Sequence, residues 1–550
     1  MNKKTILKVF NPQFMAVLSI AIIAAVLSIL HVFLGLAKTP ENYIYTATGH
    51  YYLDYFVYLQ AIAQGIAGKI LPINLLASDD TAISLRFLPY TLLGRAGRIF
   101  ALSPMFVYWF FTFIFTVIFI FLIYRAINKM IRSEKVYLKM SALLLAIFSC
   151  PFFLIKGNIR QITLVPYDFW YGPSNFIRRF GTVPYHLLSF ILGLIILFFI
   201  SDIIEKLPIL SFKKILLKIL ITVLTLSLLL LFSPFIVITL LITIFILFII
   251  FFIKNKKNIN YLIYLIGLFL FFAPIALIIQ KTYYSSPLIN AIKGIESQWQ
   301  ERVPLIFLLF NLGPIILFFP FGIIDFFKNL NAFRLLMFVF VLVSYSLFLS
   351  PAASYLKTHN LRFLSSINYA FFGVLAVLGL KTISKFFKHF QAKIVFLLVL
   401  LFLIYSSIFN IYALINRIQD KDSYTPITTI TYLPKDLING LEYLKEKKGE
   451  VALTGPYGNI GLLVPVFSVK KVYLGRENET PNFADKQIKT NLFFQGKLTQ
   501  EEGRSFIYKN KINFVVKTAI DNYLSSNIDN YHFLKLIFTN PAIQIWQVMN

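Results

Sequence analysis

Runs of about 20 apolar residues recur along the chain, and each is long enough to cross a hydrocarbon core of roughly 30 Å as a helix. They lie near 14–36, 104–124, 140–155, 187–204, 215–232, 235–253, 261–280, 304–326, 335–350, 367–381 and 394–415. Together they predict an all-α polytopic membrane bundle of about eleven transmembrane helices over residues 1–415. From about Asn416 the pattern changes to polar, with strand-like runs at Val451–Thr454, Lys471–Leu474 and Ile512–Val516. A helix is expected from Lys435 to Lys448, ended by Gly449. Phe533–Phe538 and Ile543–Val548, joined by Thr539-Asn540-Pro541, predict a hairpin. Residues 416–550 are therefore expected to form a small soluble α/β domain.

Charge then orients the chain. Lys3, Lys4 and Lys8 precede the first run, which is too long for a signal-peptide core and has no small-x-small cleavage site, so it is expected to stay as an anchor with a cytoplasmic N-terminus. The loops holding Arg125, Lys129, Arg132, Lys135 and Lys139, then Lys213, Lys214 and Lys218, Lys254, Lys256 and Lys257, Lys328 and Arg334, and Lys381, Lys385, Lys388 and Lys393 all fall on the cytoplasmic side if 84–101 does not cross. That segment, with Arg86, Arg95 and Arg98 on an otherwise apolar helix, suits an interfacial position. The C-terminal domain is then extracytoplasmic, with external segments at 37–103, 156–186, 281–303 and 351–366, in the plasma membrane of a cell with an envelope beyond it.

Composition agrees. Hydrophobic residues are 58% of the chain and charged ones 14%, and the mean hydropathy is +0.75, outside the soluble globular range. The net charge of +28 sits mostly in the basic loops, where it meets anionic lipid, so no nucleic-acid partner is implied. The single cysteine, Cys150, leaves no disulfide framework or cysteine metal site.

The chemistry-bearing residues lie in the external segments. Asp54, in the aromatic run His50-Tyr51-Tyr52-Leu53-Asp54-Tyr55-Phe56-Val57-Tyr58, is a carboxylate at the water–lipid boundary in a chain with only 24 acids against 52 bases. Such an acid can take a proton from a hydroxyl nucleophile whose co-substrate lies in the bilayer, or it can simply cap or pair. On a helix, Tyr58 shares its face at i, i+4 and supports it. Asp79 and Asp80 are adjacent and can hold a divalent cation, act as a second acid, or cap the following helix; Asp168 is another possible second acid. Arg178, Arg179 and Arg362 offer guanidinium forks that match phosphate oxygens, or that snorkel to lipid headgroups. His186 and His359 lie beside them as supporting residues. No metal motif, nucleophile elbow or phosphate-loop spacing occurs, and Gly455, Gly458 and Gly461 are taken as turn structure.

This order of parts resembles the GT-C superfamily of membrane glycosyltransferases, in particular its uncharacterised bacterial members. Leu53-Asp54-Tyr55-Phe56-Val57-Tyr58-Leu59, with Gly65 downstream, stands where the family has its first-loop acid. Leu361-Arg362-Phe363-Leu364 is similar to the late external arginine segment that contacts the carrier phosphate. Leu463-Val464-Pro465-Val466 through Val472-Tyr473-Leu474-Gly475-Arg476 and Thr480 is similar to the tail of several members. The resemblance implies transfer of a sugar from a polyprenyl-phosphate donor to a glycan, lipid or protein hydroxyl, with inversion. Asp54 would be the base and Arg362 a donor-phosphate ligand, a role for which Arg178 and Arg179 are candidates by their own chemistry; a divalent cation is allowed but not required. Many members pair the first-loop acid with a second, whereas Asp54 has neutral neighbours. A lipid-linked glycan flippase and a non-catalytic envelope assembly protein are the competing expectations. A carrier usually has ionisable residues at mid-span, and Asp202, Glu205 and Asp325 instead lie at span ends.

Overall fold

Apolar runs with no water to satisfy their backbone fold as helices. The computed structural model describes residues 11–48, 51–79, 83, 85–158, 161–169, 172–255, 258–283, 293–294, 296–387, 391–419, 430–456, 459–522 and 527–549. Among them seven helices are long and apolar enough to cross a membrane: Pro104–Met130, Pro184–Ile209, Pro234–Lys254, Asn260–Thr282, Leu305–Lys328, Ala332–Leu349 and Gln391–Arg417. Pro12–Ser28 with Leu30–Ala37 makes an eighth if that bent pair is one span. The run at 367–381 is the shorter apolar helix Asn368–Ser384, and that at 140–155 is helical only within Val136–Phe148, its last residues beginning a strand at Phe153. The run at 215–232 is the Phe212–Leu230 helix, whose first turns carry Lys213, Lys214 and Lys218. Every expected crossing thus has a helix, and seven or eight of them meet the length and composition of a span. The chain is a multi-pass membrane protein. The Arg-bearing segment forms a helix of 12 residues, Leu88–Ile99, or about 18 Å at 1.5 Å per residue, too short to cross.

The chain divides into two compact units. The first comprises Met1–Ile29, Thr112–Lys281 and Lys293–Ile415 and holds most of the long apolar helices. Its helices approach closely where side chains are small: a Cβ on Gly379 would stand 2.0 Å from the Phe318 carbonyl oxygen, and one on Gly322 2.1 Å from that of Leu375. In lipid, where burial of apolar surface drives little association, such contacts carry the packing. Several charged side chains in this bundle have partners. Lys381 Nζ lies 2.5 Å from Glu134 and 3.3 Å from Asp325, and Lys129 pairs with Asp202. Buried Arg334 donates to the carbonyls of Met130 (2.5 Å) and Phe326 (2.9 Å). Two antiparallel strands, after β1 at Tyr43–Tyr45, interrupt the helices: β2 (Phe153–Asn158) and β3 (Gln161–Pro166).

The second unit comprises Leu30–Phe111, Thr282–Ile292 and Asn416–Asn550. Its sheet uses β5 (Val451–Thr454), β6 (Lys471–Val472), β7 (Phe514–Thr518), β8 (Leu534–Thr539) and β9 (Ile543–Val548) in the order β6-β5-β7-β9-β8. β5 pairs in parallel with β6 and β7, and β9 runs antiparallel to β7 and β8. All residues of β5 and β7 are buried, as expected for strands covered on both faces. The β8–β9 turn is closed by Asn540, whose Oδ1 accepts from the N–H groups of Ala542 and Ile543, each at 3.0 Å. Helices Lys435–Glu446, Ile460–Phe467, Phe483–Phe494 and Gln500–Lys509 flank the strands, the last opened by a Thr499/Glu502 capping box.

The loop that follows the first helices belongs to this same unit. β1 pairs antiparallel with β4 (Tyr432–Pro434), the Leu75 carbonyl accepts from Val472 N at 2.9 Å, and the Tyr52–Ile66 helix packs on Ile460–Phe467. Tyr52–Ile66 also crosses Leu88–Ile99 at two glycines: a Cβ on Gly65 would meet Thr91 O at 2.1 Å, and one on Gly94 would meet Ile62 O at 2.1 Å.

Candidate functional site

Asp54 lies in the first turn of the Tyr52–Ile66 helix, where a carboxylate is favoured by the unsatisfied N–H groups and the helix dipole. Its side chain is 36% exposed, and Oδ1 is 2.6 Å from Nη1 of Arg476. The same Nη1 lies 3.3 Å from Oε2 of Glu479, and Oε1 of Glu479 lies 3.4 Å from Arg86. The result is an alternating chain of charge, Asp54–Arg476–Glu479–Arg86, drawn from the first loop and the C-terminal part of the sequence. Burial works against the Arg476 charge, but the carboxylates of Glu479 and Asp54 more than offset it and its pKa is raised.

This arrangement is held by the turn that carries Arg476. Asn74 Nδ2 donates to the Glu479 carbonyl at 2.8 Å, and Thr480 Oγ1 donates to Leu76 O at 2.8 Å while accepting from Gly475 N at 3.2 Å. Gly475 is required there, since a Cβ would stand 2.5 Å from Leu76 O. One turn beyond Asp54, the Tyr58 ring stacks on Tyr90 with centroids 4.6 Å apart, and the Arg476 guanidinium lies 5.7 Å from the centre of the Tyr51 ring. Asp79 takes a different cation, Lys486, at 2.6 Å. Asp80 and His50 lie outside the described residues.

Within the helical unit, an apolar cluster includes Phe169, Leu308, Phe348, Leu361, Phe363 and Leu364, with Val303 packed against it. Asp168, just after β3, has a side chain only 3% exposed and pairs with Arg178 at 3.0 Å. Asp168 also accepts from Ser174, from Asn175 at 3.3 Å and from Asn311 at 3.4 Å. Burial pushes its carboxyl above the usual carboxylate range, against the pull of Arg178.

Arg178 and Arg179 are neighbours on the short Phe176–Phe180 helix, which Asn175 caps by accepting from Arg178 N at 3.0 Å. Successive residues point about 100° apart on a helix of 3.6 residues per turn. Arg178 stays 38% exposed at its side chain. Arg179 is 1% exposed. Its Nη1 donates to the carbonyls of Pro173 and Ser174, both at 3.0 Å, and its Nη2 to those of Ile147 (2.8 Å) and Ser149 (2.5 Å). Its guanidinium carbon also lies 4.1 Å from the centre of the Tyr369 ring.

Arg362 forms a bidentate pair with Glu296, Nη2 to Oε1 at 2.5 Å and Nε to Oε2 at 3.2 Å. Thr358 adds a bond to Glu296 Oε2 at 3.1 Å. Asn360 fixes the loop by donating to Phe348 O (3.0 Å) and Glu301 O (2.8 Å). His359 and His186 are within electrostatic reach of Arg362. Burial, with the Arg362 charge beside it, pushes the His359 imidazole down to about 3, so His359 is neutral at physiological pH.

Arg476, Glu479 and Glu296 are the site residues that sequence patterning does not single out. Their signal is charge balance alone: in a chain with 24 acids against 52 bases, each of these acids faces an arginine. Among the described residues no three His, Cys, Asp or Glu side chains gather as a metal site.

No family model matches the chain, and no curated protein sequence matches it. The solved structures do. A crystal structure of the Archaeoglobus fulgidus oligosaccharyltransferase, tethered with an acceptor peptide containing the NVT sequon, aligns over 99% of this chain and 75% of its own, with TM-score 0.51 and 12% identity. The fold is GT-C. The same archaeal enzyme, AglB, in complex with an inhibitory peptide and a dolichol-phosphate aligns over 92% of this chain and 69% of its own, with TM-score 0.48 and 11% identity. The expected helical membrane bundle with a small α/β region near the C-terminus agrees with the likeness in fold to the first of these.

Proposed function

We propose that the protein is a membrane glycosyltransferase that moves a sugar from a polyprenyl-phosphate carrier to the hydroxyl of an extracytoplasmic glycan, lipid or protein. The observation that carries this reading is a partly exposed carboxylate, Asp54, at the head of the first-loop helix of a GT-C fold. In the reaction, the acceptor oxygen forms its bond to the anomeric carbon as the bond from that carbon to the phosphate oxygen breaks. The acceptor proton goes to Asp54, the bonding pair leaves with the polyprenyl phosphate, and attack from the opposite face inverts the centre. Arg178 and Arg362 are assigned to the departing phosphate, where a guanidinium offsets developing charge. Arg179 is assigned a structural part, because its terminal nitrogens are committed to carbonyls.

The basic loops support an orientation with the N-terminus in the cytoplasm and the tail outside. A reporter fused at the C-terminus should read out as extracytoplasmic; a cytoplasmic signal would reverse this assignment.

The direct test is to supply the purified protein in lipid with polyprenyl-phosphate sugars and an acceptor mixture, and to measure release of free polyprenyl phosphate. Release is expected for at least one sugar. Arg362→Lys should raise the KM for the donor about tenfold and lower turnover as well, because a point charge cannot reproduce a forked contact. An Arg362→Lys protein with unchanged donor KM would remove Arg362 from the phosphate.

A further inference from the structure

The C-terminal part of the chain contributes the residue that sets the first-loop carboxylate. We infer that Arg476 is a positioning residue for Asp54: it binds Oδ1 and leaves Oδ2 as the oxygen that receives the acceptor proton. This rests on the function proposed above and goes beyond it, by committing to one oxygen and to one partner from the tail.

Asp54 stands on the exposed first turn of its helix, which has no side-chain cap, and a carboxylate there rotates freely unless something holds it. Arg476 Nη1 reaches Oδ1 at 2.6 Å; among the described residues no ion pair or hydrogen bond involves Oδ2. Arg476 is itself restrained. Its side chain is 10% exposed, Glu479 holds the same nitrogen from the far side at 3.3 Å, and Arg86 balances Glu479. The Gly475–Thr480 turn is tied to Asn74 and Leu76 of the first loop by two hydrogen bonds, and a third closes the turn on itself. A buried guanidinium between two carboxylates and gripped by its own turn is a rigid support rather than a surface pair. Oδ2 is then the carboxylate oxygen left for the acceptor, on a side chain that is partly exposed.

The test combines turnover with a readout independent of turnover. Donor kcat and KM are measured for the wild type, Asp54→Asn, Arg476→Gln, Arg476→Lys and the double variant Asp54→Asn/Arg476→Gln. In parallel, carbodiimide labelling of Asp54 is followed by mass spectrometry, with Asp79, held by Lys486, as an internal reference. Arg476→Gln should lower kcat by about 10- to 100-fold with the donor KM unchanged, the cost of a misplaced catalytic group. Arg476→Lys should recover to within about tenfold of wild type, since the charge returns without the fork. The double variant should be no slower than Asp54→Asn alone, because the two residues act as one unit. Asp54 should label several-fold faster in Arg476→Gln while Asp79 does not change. If Arg476→Gln fails to fold, Glu479→Gln, which loosens Arg476 without removing its charge, carries the same test and should lower kcat in the same direction.

Four results would overturn the inference: kcat within about twofold of wild type in Arg476→Gln, a loss confined to donor KM, a lysine variant no better than glutamine, or unchanged labelling of Asp54. A wild type inactive on every donor sinks the proposed function, and the positioning role with it. Activity that survives in Asp54→Asn sinks the base assignment. Activity lost in Asp54→Asn but kept in Arg476→Gln sinks only the role of Arg476.

Discussion

Sugar transfer by the Asp54→Asn protein is expected to fall by about 10²–10⁴-fold, the usual contribution of a positioned general base. The substitution keeps side-chain size, and its amide oxygen can still accept from Arg476, but the side chain no longer takes a proton at neutral pH. Insertion and donor binding should persist. Asp54 is 36% exposed, and Arg476 keeps Glu479 as a second counter-ion, so loss of one charge should not unfold the unit. Released polyprenyl phosphate gives the rate, and retention of a labelled polyprenyl-phosphate sugar gives donor binding. Unchanged transfer in Asp54→Asn would remove Asp54 from the mechanism. Asp168 and Asp79 would then be the acids to examine, and of these Asp168 is the buried one, with a carboxyl already pushed upward.

The architecture is legible in the sequence wherever one physical signal dominates. Length and apolarity mark the helices, because a chain in lipid has few other ways to satisfy its backbone. In the tail, β5, β7 and the β8–β9 hairpin fall where apolar runs and the Asn540-Pro541 turn place them. Contacts that depend on distant partners are not legible. β1 and β4 are three residues each, too short for an alternating pattern, and their pairing joins the first loop to the tail. Arg476 closes a tail segment that carries a family resemblance, but its pairing with Asp54 is found only by geometry. Arg178 and Arg179 show the limit most clearly. The pentapeptide Phe176-Ile177-Arg178-Arg179-Phe180 gives no sign of which arginine faces solvent, yet a rotation of about 100° per residue leaves one exposed and buries the other. His359 is similar: its position beside Arg362 suggests a second cation, but burial keeps the imidazole neutral.

That difference between neighbours yields the second large expected effect. Arg179→Met should destabilise the helical unit by about 3 kcal/mol or more, because each buried acceptor left without its donor costs about 1–3 kcal/mol. Four carbonyls, those of Pro173, Ser174, Ile147 and Ser149, receive the guanidinium. Methionine fills much of the same volume, so packing is largely kept and the loss falls on the hydrogen bonds and on the contact with Tyr369. Arg179→Lys should lie between, since an ammonium has three donors and cannot span carbonyls arranged around a planar fork. Apparent melting temperature in detergent, read alongside donor binding, separates the possible roles. A structural Arg179 predicts a lowered melting temperature for methionine, a smaller drop for lysine, and near-normal donor affinity in whatever fraction remains folded. A phosphate-binding Arg179 predicts wild-type melting with lost affinity, and that result would return Arg179 to the donor site beside Arg178 and Arg362.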